Sequence, residues 1–153
     1  MSGSSDAGRS AELAKHADED PYFMSNRYLE YVAANESIAQ VFRVILEQKE
    51  NPIVLHCSAG KDRTGVITYL LLSLHDVLPA EIVADYQVSY IYIKHDLRIL
   101  RAENNLNIYI SYPEIMERFH TAFIEKYGSV TDYFYGIGFS EEEVNELSQL
   151  MIA

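Results

Sequence analysis

From residue 25 onward apolar positions recur at helical spacing: Tyr28, Tyr31, Val32, Ile38, Val41, Phe42, Ile45 and Leu46 predict one long amphipathic helix. Asn51-Pro52 breaks the pattern, and Ile53-Val54-Leu55-His56, β-branched and apolar behind a proline, reads as a short buried strand. Residues 66–78 are apolar nearly all the way round, which predicts a helix in the middle of a domain. Pro79 marks the next start; Ile82, Tyr86, Tyr90, Ile93, Leu97 and Leu100 then follow every three or four positions and predict a helix to about residue 102. Asn-Ile-Tyr-Ile within 104–111 alternates as a strand does but has no pairing run, so that stretch reads as loop.

Three more helix starts carry an oxygen-bearing cap followed three positions on by a carboxylate: Ser111 with Glu114, Ser129 with Asp132, and Ser140 with Glu143. They predict helices over 113–127, 130–135 and 141–151. Residues 1–21 are small, polar and charged without a clear apolar period and read as a flexible lead-in or appended segment, leaving 22–153 as the folded domain. The expected class is a helix-rich α/β chain with one strand at its functional centre.

With 153 residues, 48% of them hydrophobic and 23% charged, there is room for one core and no case for a disordered chain. Twelve Lys plus Arg face twenty-three Asp plus Glu, a net charge of −11 that argues against nucleic-acid binding or an anionic membrane surface as partner. Any anion has to be held locally. A single cysteine, Cys57, allows no internal disulfide and suits a reducing compartment. No apolar run approaches the roughly 20 residues of a spanning helix, so no membrane insertion is expected. Residues 1–8 lack a signal-peptide stretch, so the expected location is cytoplasmic.

The strand runs into Cys57-Ser58-Ala59-Gly60-Lys61-Asp62-Arg63-Thr64-Gly65, a cysteine at a strand end five residues before an arginine that opens a helix. Backbone N–H groups over 58–63 can curl around an anion, and the helix start adds its unpaired donors and positive dipole end. Gly60 permits the curl, and Arg63 offers a planar fork for two phosphate oxygens. The same field favours a thiolate at Cys57, positioned for in-line attack on phosphorus and a cysteinyl-phosphate intermediate. Thr64 can donate its hydroxyl to that sulfur, and His56 reads as orienting the loop through backbone. Asp62 is the nearest carboxylate that could protonate a leaving group, and it fits a helix cap equally well.

The string HCSAGKDRTG resembles the signature of the cysteine-dependent protein tyrosine phosphatases, and its GKDR centre is similar to the bacterial and fungal tyrosine-phosphatase-like family, which includes phosphoinositide phosphatases. AEIVADYQVSY, YGSVTDYF and GFSEEEVNEL extend the likeness, so that it covers about 28–152. The resemblance implies a protein tyrosine phosphatase-like α/β fold. It is helix-rich and strand-poor because that family's N-terminal strands, with an Asn-Phe-Arg-Asp-Leu-Gly-like motif and a later Asp-Leu-Arg-like strand, have no counterpart here. It implies Cys57 as nucleophile, Arg63 as transition-state ligand, Lys61 as a second phosphate or head-group contact, Asp62 as acid, and the helix over 81–102 with the next one as a lid. Phosphotyrosyl protein is the leading substrate it implies, with phosphoinositide, phosphoserine and phosphothreonine kept open by Lys61. No metal or organic cofactor is implied, and the lack of those strands leaves three alternatives: a fragment, a second chain or homo-oligomer that completes the sheet, or an adapted fold.

Other features have plainer readings beside the functional ones. Lys94, Arg98 and Arg101 share one helix face and read as a solvated stripe or as contacts to a phosphopeptide or inositol head group. His16, His75, His95 and His120 lack metal-ligand spacing. The tyrosines fall on apolar faces and read as packing, with Tyr90 and Tyr92 candidates for the entrance. A phosphate-binding module without turnover is the alternative function. An arsenate reductase or rhodanese fits less well, since redox chemistry of that kind calls for further cysteines.

Overall fold

The computed structural model describes residues 15–16, 19–95 and 106–150. The first departure from the apolar pattern falls at Ala34. The run expected as one helix folds as two, α1 (Met24–Ala33) and α2 (Asn35–Glu47), with Ala34 between them at φ −80° and ψ 62°. The Ala34 amide closes α1 on the carbonyls of Glu30 and Tyr31, and its carbonyl opens α2 by accepting from Ser37 and Ile38. Val32 and Ile38, both buried, stand six positions apart. That separation is about 240° round a continuous helix, so both reach the core only because the chain turns between them. The Tyr133 hydroxyl donates to the Val32 carbonyl at 2.7 Å and satisfies an acceptor at the end of α1.

The central helix, α3 (Asp62–Leu74), buries Val66, Ile67, Tyr69, Leu70 and Leu74. It starts four residues before its apolar run and stops four before the expected end. At the stop, Asp76 takes φ 56° while the amides of Val77 and Asp76 bond the carbonyls of Leu72 and Ser73. This is the doubly bonded left-handed ending that shuts a helix even without glycine. Around α3 stand α1, α4 (Pro79–Ile93), α6 (Val130–Gly136) and α7 (Glu141–Leu147), while α5 (Pro113–Tyr127) packs across α1 and α4. Phe119 of α5 meets the rings of Tyr28 and Tyr69 edge-on, at 5.8 and 4.9 Å between centroids.

Two of the three expected caps form. Ser129 Oγ accepts from the Asp132 amide at 2.9 Å. Ser140 and Glu143 make the full reciprocal pair, at 3.2 and 2.8 Å. At α5 the cap is Tyr112, with Pro113 in the first turn. Ser111 instead donates to the Gln87 carbonyl and accepts from the Tyr90 amide, pinning α4 to the loop before α5. The last helix ends at Leu147, short of the expected 151. Leu106–Ile108 forms one 3-10 turn within the expected loop.

The expected strand is the main correction. Among the described residues there is no β-strand; those in regular structure are helical, not α/β. Val54 is 86% exposed and Ile53 45%. A buried strand needs a neighbour that takes its amides and carbonyls and covers its faces, and no other described segment supplies one. Residues 52–56 therefore run as an extended lead into the loop. The helix expected to reach residue 102 is described as far as Ile93; Arg98 and Arg101 lie outside the described residues. No described helix is long and apolar enough to cross a membrane.

Candidate active site

Cys57 stands at the turn from the extended segment into the loop, and α3 begins five residues later with Lys61 as its N-cap residue. Gly60 sits at φ +67°, and a Cβ built there would meet nothing within 4 Å. Its glycine thus answers to the backbone angle, not to crowding. Gly65 is the reverse case: its Cβ would lie 3.2 Å from the Tyr86 ring, so this glycine lets α3 and α4 close up beside the loop.

Burial of Cys57 opposes ionisation, but the Thr64 hydroxyl and the backbone amides of Thr64, Ala59 and Gly60 outweigh it and bring the thiol down to about 7. Thr64 Oγ1 is buried and has no hydrogen-bond partner among the described residues, so its hydroxyl can turn to the sulfur. His56 Nδ1 lies 3.2 Å from the Cys57 carbonyl oxygen, a contact with the loop backbone. Arg63, in the first turn of α3, is exposed and makes no hydrogen bond or ion pair with the described residues. Its guanidinium carries the planar donor fork that suits a phosphate or carboxylate.

Lys61 does not have the surroundings expected of a substrate contact. Its side chain is 1% exposed, with Nζ 3.0 Å from Asp62 Oδ1 and donating to the Ile108 carbonyl at 2.8 Å. A lysine this deep is held by its partners, and only its backbone amide remains on the loop. Asp62 is not the helix cap either: it is the first residue of α3, and its Oδ1 accepts the Tyr28 hydroxyl at 2.7 Å as well as the lysine. Sequence reading missed Tyr28, whose hydroxyl also meets that of Tyr86 at 2.7 Å. The i, i+3 spacing of Tyr28 and Tyr31 on α1 marked only a core face.

The helical spacing likewise marks Tyr31 only as packing. Burial raises its phenol, the Asp62 charge and the Cys57 thiolate raise it further, and the cations of Arg27 and Arg63 lower it. Its half-buried hydroxyl therefore belongs to the electrostatic surroundings of the loop. A cleft of about 360 Å³ opens beside the loop. Ala59, Gly60 and Thr64 line one side of it, and Asp85, Tyr86, Ser89 and Tyr92 of α4 line the other. Tyr92 is among the residues lining the cleft; Tyr90 and Lys94 are not. The described residues contain no group of three or more His, Cys, Asp or Glu that could hold a metal ion.

A cysteine with a lowered pKa, set among backbone amides ahead of a helix whose first turn carries an exposed arginine, makes a site for an anion that a thiolate can attack. The chain belongs to the tyrosine phosphatase family, which it matches over residues 2–153. It is 29% identical to a protein named tyrosine-protein phosphatase from Nostoc commune, covering 89% of this chain and 51% of that one. It is 33% identical to the triple specificity protein phosphatase PtpB of Mycobacterium tuberculosis, over 52% of this chain and 29% of that one. The chain thus spans about half the length of the first of these curated relatives and less of the second.

Proposed function

We propose that this chain hydrolyses phosphate monoesters, with phosphotyrosyl residues of proteins as the leading substrate. The observation that carries the reading is Cys57, its thiol brought to about 7 by Thr64 and the loop amides, beside an exposed Arg63 that has no hydrogen bond or ion pair among the described residues. At neutral pH about half of such thiols are thiolate, the nucleophilic form. The thiolate attacks phosphorus, an S–P bond forms as the P–O bond to the phenol breaks, and the phenolic oxygen leaves with a proton from Asp62. Water then attacks phosphorus and gives its proton to Asp62 as the S–P bond breaks, releasing inorganic phosphate and the thiolate. Amides over 58–64 and the Arg63 fork hold the equatorial oxygens throughout, and the Thr64 hydroxyl stabilises the departing sulfur.

The cleft supports an aryl ester, since its α4 side offers the rings of Tyr86 and Tyr92. The case for phosphoinositides rested on Lys61 as a spare cation in the loop, and its engagement with Asp62 and the Ile108 carbonyl weakens that case. The decisive measurement is hydrolysis of p-nitrophenyl phosphate and a phosphotyrosyl peptide by this chain and by Cys57→Ser, with orthovanadate as inhibitor and no metal added. Vanadate-sensitive turnover lost in Cys57→Ser is the expected result.

A second reading has its own support. Residues 53–55, apolar on both faces and without a strand partner among the described residues, favour a strand added by a second chain, and a phosphate-binding module that is silent until so completed. Vanadate binding without turnover, together with a monomer in sedimentation, would favour that module over the enzyme.

A further inference from the structure

The loop chemistry accounts for Cys57, Arg63, Thr64 and Asp62, but not for the two phenols behind Asp62. Tyr28 and Tyr86 are 0% and 3% exposed, the degree of core residues, yet their hydroxyls join in a chain that ends on Asp62. A phenol has one proton to donate. Tyr28 commits its proton to Asp62 Oδ1 at 2.7 Å, so the Tyr86 hydroxyl, 2.7 Å from that of Tyr28, must donate to Tyr28. Lys61 Nζ faces the same Oδ1 at 3.0 Å. Burial raises both phenols and the Asp62 charge adds to it, so both keep their protons and stay donors. One carboxyl oxygen is thereby met by two donors, one from α1 and one from the residue just before Asp62, and the other is left free of them.

We propose that Tyr28, backed by Tyr86, is a positioning residue for Asp62: by occupying Oδ1 it fixes the carboxyl's rotation and keeps the transferable proton on Oδ2. This rests on the reading of Asp62 as the proton donor. The arrangement also explains a buried lysine in a phosphate loop, because Lys61 is the second clamp on the same oxygen. Tyr28 comes from α1, Asp62 from α3 and Tyr86 from α4, so the acid's orientation depends on how the three helices meet.

The test compares Tyr28→Phe, Tyr86→Phe and Asp62→Asn on a phosphotyrosyl peptide, whose phenol needs protonation, and on p-nitrophenyl phosphate, whose leaving group needs little. Asp62→Asn should lower kcat on the peptide about 100-fold or more and on p-nitrophenyl phosphate far less. Tyr28→Phe keeps the ring and should lower peptide kcat about tenfold, with p-nitrophenyl phosphate changed by less than about threefold and KM unchanged for both. Tyr86→Phe, which removes only the last donor, should act in the same direction more weakly. It carries the comparison alone if Tyr28→Phe fails to fold.

A selective Asp62→Asn beside tyrosine variants that slow both substrates equally, or neither, overturns the positioning role and leaves Asp62 as donor. Loss of vanadate binding in the folded tyrosine variants overturns it too, because the phenols would then be holding the loop itself. Equal losses on both substrates in Asp62→Asn remove the donor reading, and this inference with it. A parent chain without turnover removes the phosphatase reading beneath both.

Discussion

Replacing Thr64 by valine keeps the shape of the side chain and removes one donor from the sulfur of Cys57. Burial alone pushes that thiol up; what brings it to about 7 is the Thr64 hydroxyl with three backbone amides, of which only the hydroxyl can be mutated away. A hydrogen bond to a charged group contributes about 1.5–3 kcal/mol, and one pKa unit corresponds to about 1.4 kcal/mol. Cys57 is partly exposed, so solvent screening puts the effect at the lower end, about one unit. The thiol should move from about 7 to about 8, and the thiolate fraction at pH 7 from about half to about one tenth.

Cys57 is the only cysteine in the chain, so the ultraviolet absorbance of the thiolate titrates this one group, with Cys57→Ser as the blank. The sign carries into catalysis. The active thiolate is lost as pH falls through the thiol's pKa, so a higher pKa moves the acid limb of kcat/KM to higher pH by the same amount. A midpoint unchanged in a folded Thr64→Val variant would refute the reasoning and assign the lowered pKa to the backbone amides alone.

Gly60→Ala should cost about 1–2 kcal/mol from its φ of +67° and weaken vanadate binding in calorimetry; because its Cβ meets nothing, a normal affinity would show that the loop relaxes freely. Ser140→Ala removes one half of the reciprocal cap on α7 and should lower Tm by about 2–4 °C, for a loss of about 1 kcal/mol. Val54→Asp, at a side chain 86% exposed, should leave the Tm of the monomeric chain within about 1 °C. The same change should abolish any self-association seen in sedimentation if residues 53–55 pair with a second copy, and a large drop in monomer Tm would mean that Val54 is covered within the chain.

What could be read from the sequence was whatever depends on neighbours a few residues away. Ser140 and Glu143 specify a cap between themselves, Pro113 fits a first helical turn, and Cys57 through Gly65 specify a loop because each member acts on the next. What escaped depends on surroundings the local pattern does not contain. Ile53-Val54-Leu55 has the composition of a buried strand, but burial is conferred by a pairing neighbour, and no described segment is one. The turn at Ala34 was present in the six-residue gap between Val32 and Ile38 and is lost when periodicity is read as a list of apolar positions.

Tyr28 shows the limit most clearly. A tyrosine at helical spacing is apolar in its ring and polar only at its tip, and the period records the ring. Its hydroxyl acts on Asp62, thirty-four residues further on, and it is this contact with Lys61 that distinguishes a held carboxyl from a helix cap. Lys61 Nζ is held at the same place, between Asp62 Oδ1 and the Ile108 carbonyl. Within GKDR, Gly60 turns the chain with its positive φ and Arg63 stands exposed in the first turn of α3, while Lys61 and Asp62 face each other and Tyr28 bonds the same carboxyl oxygen.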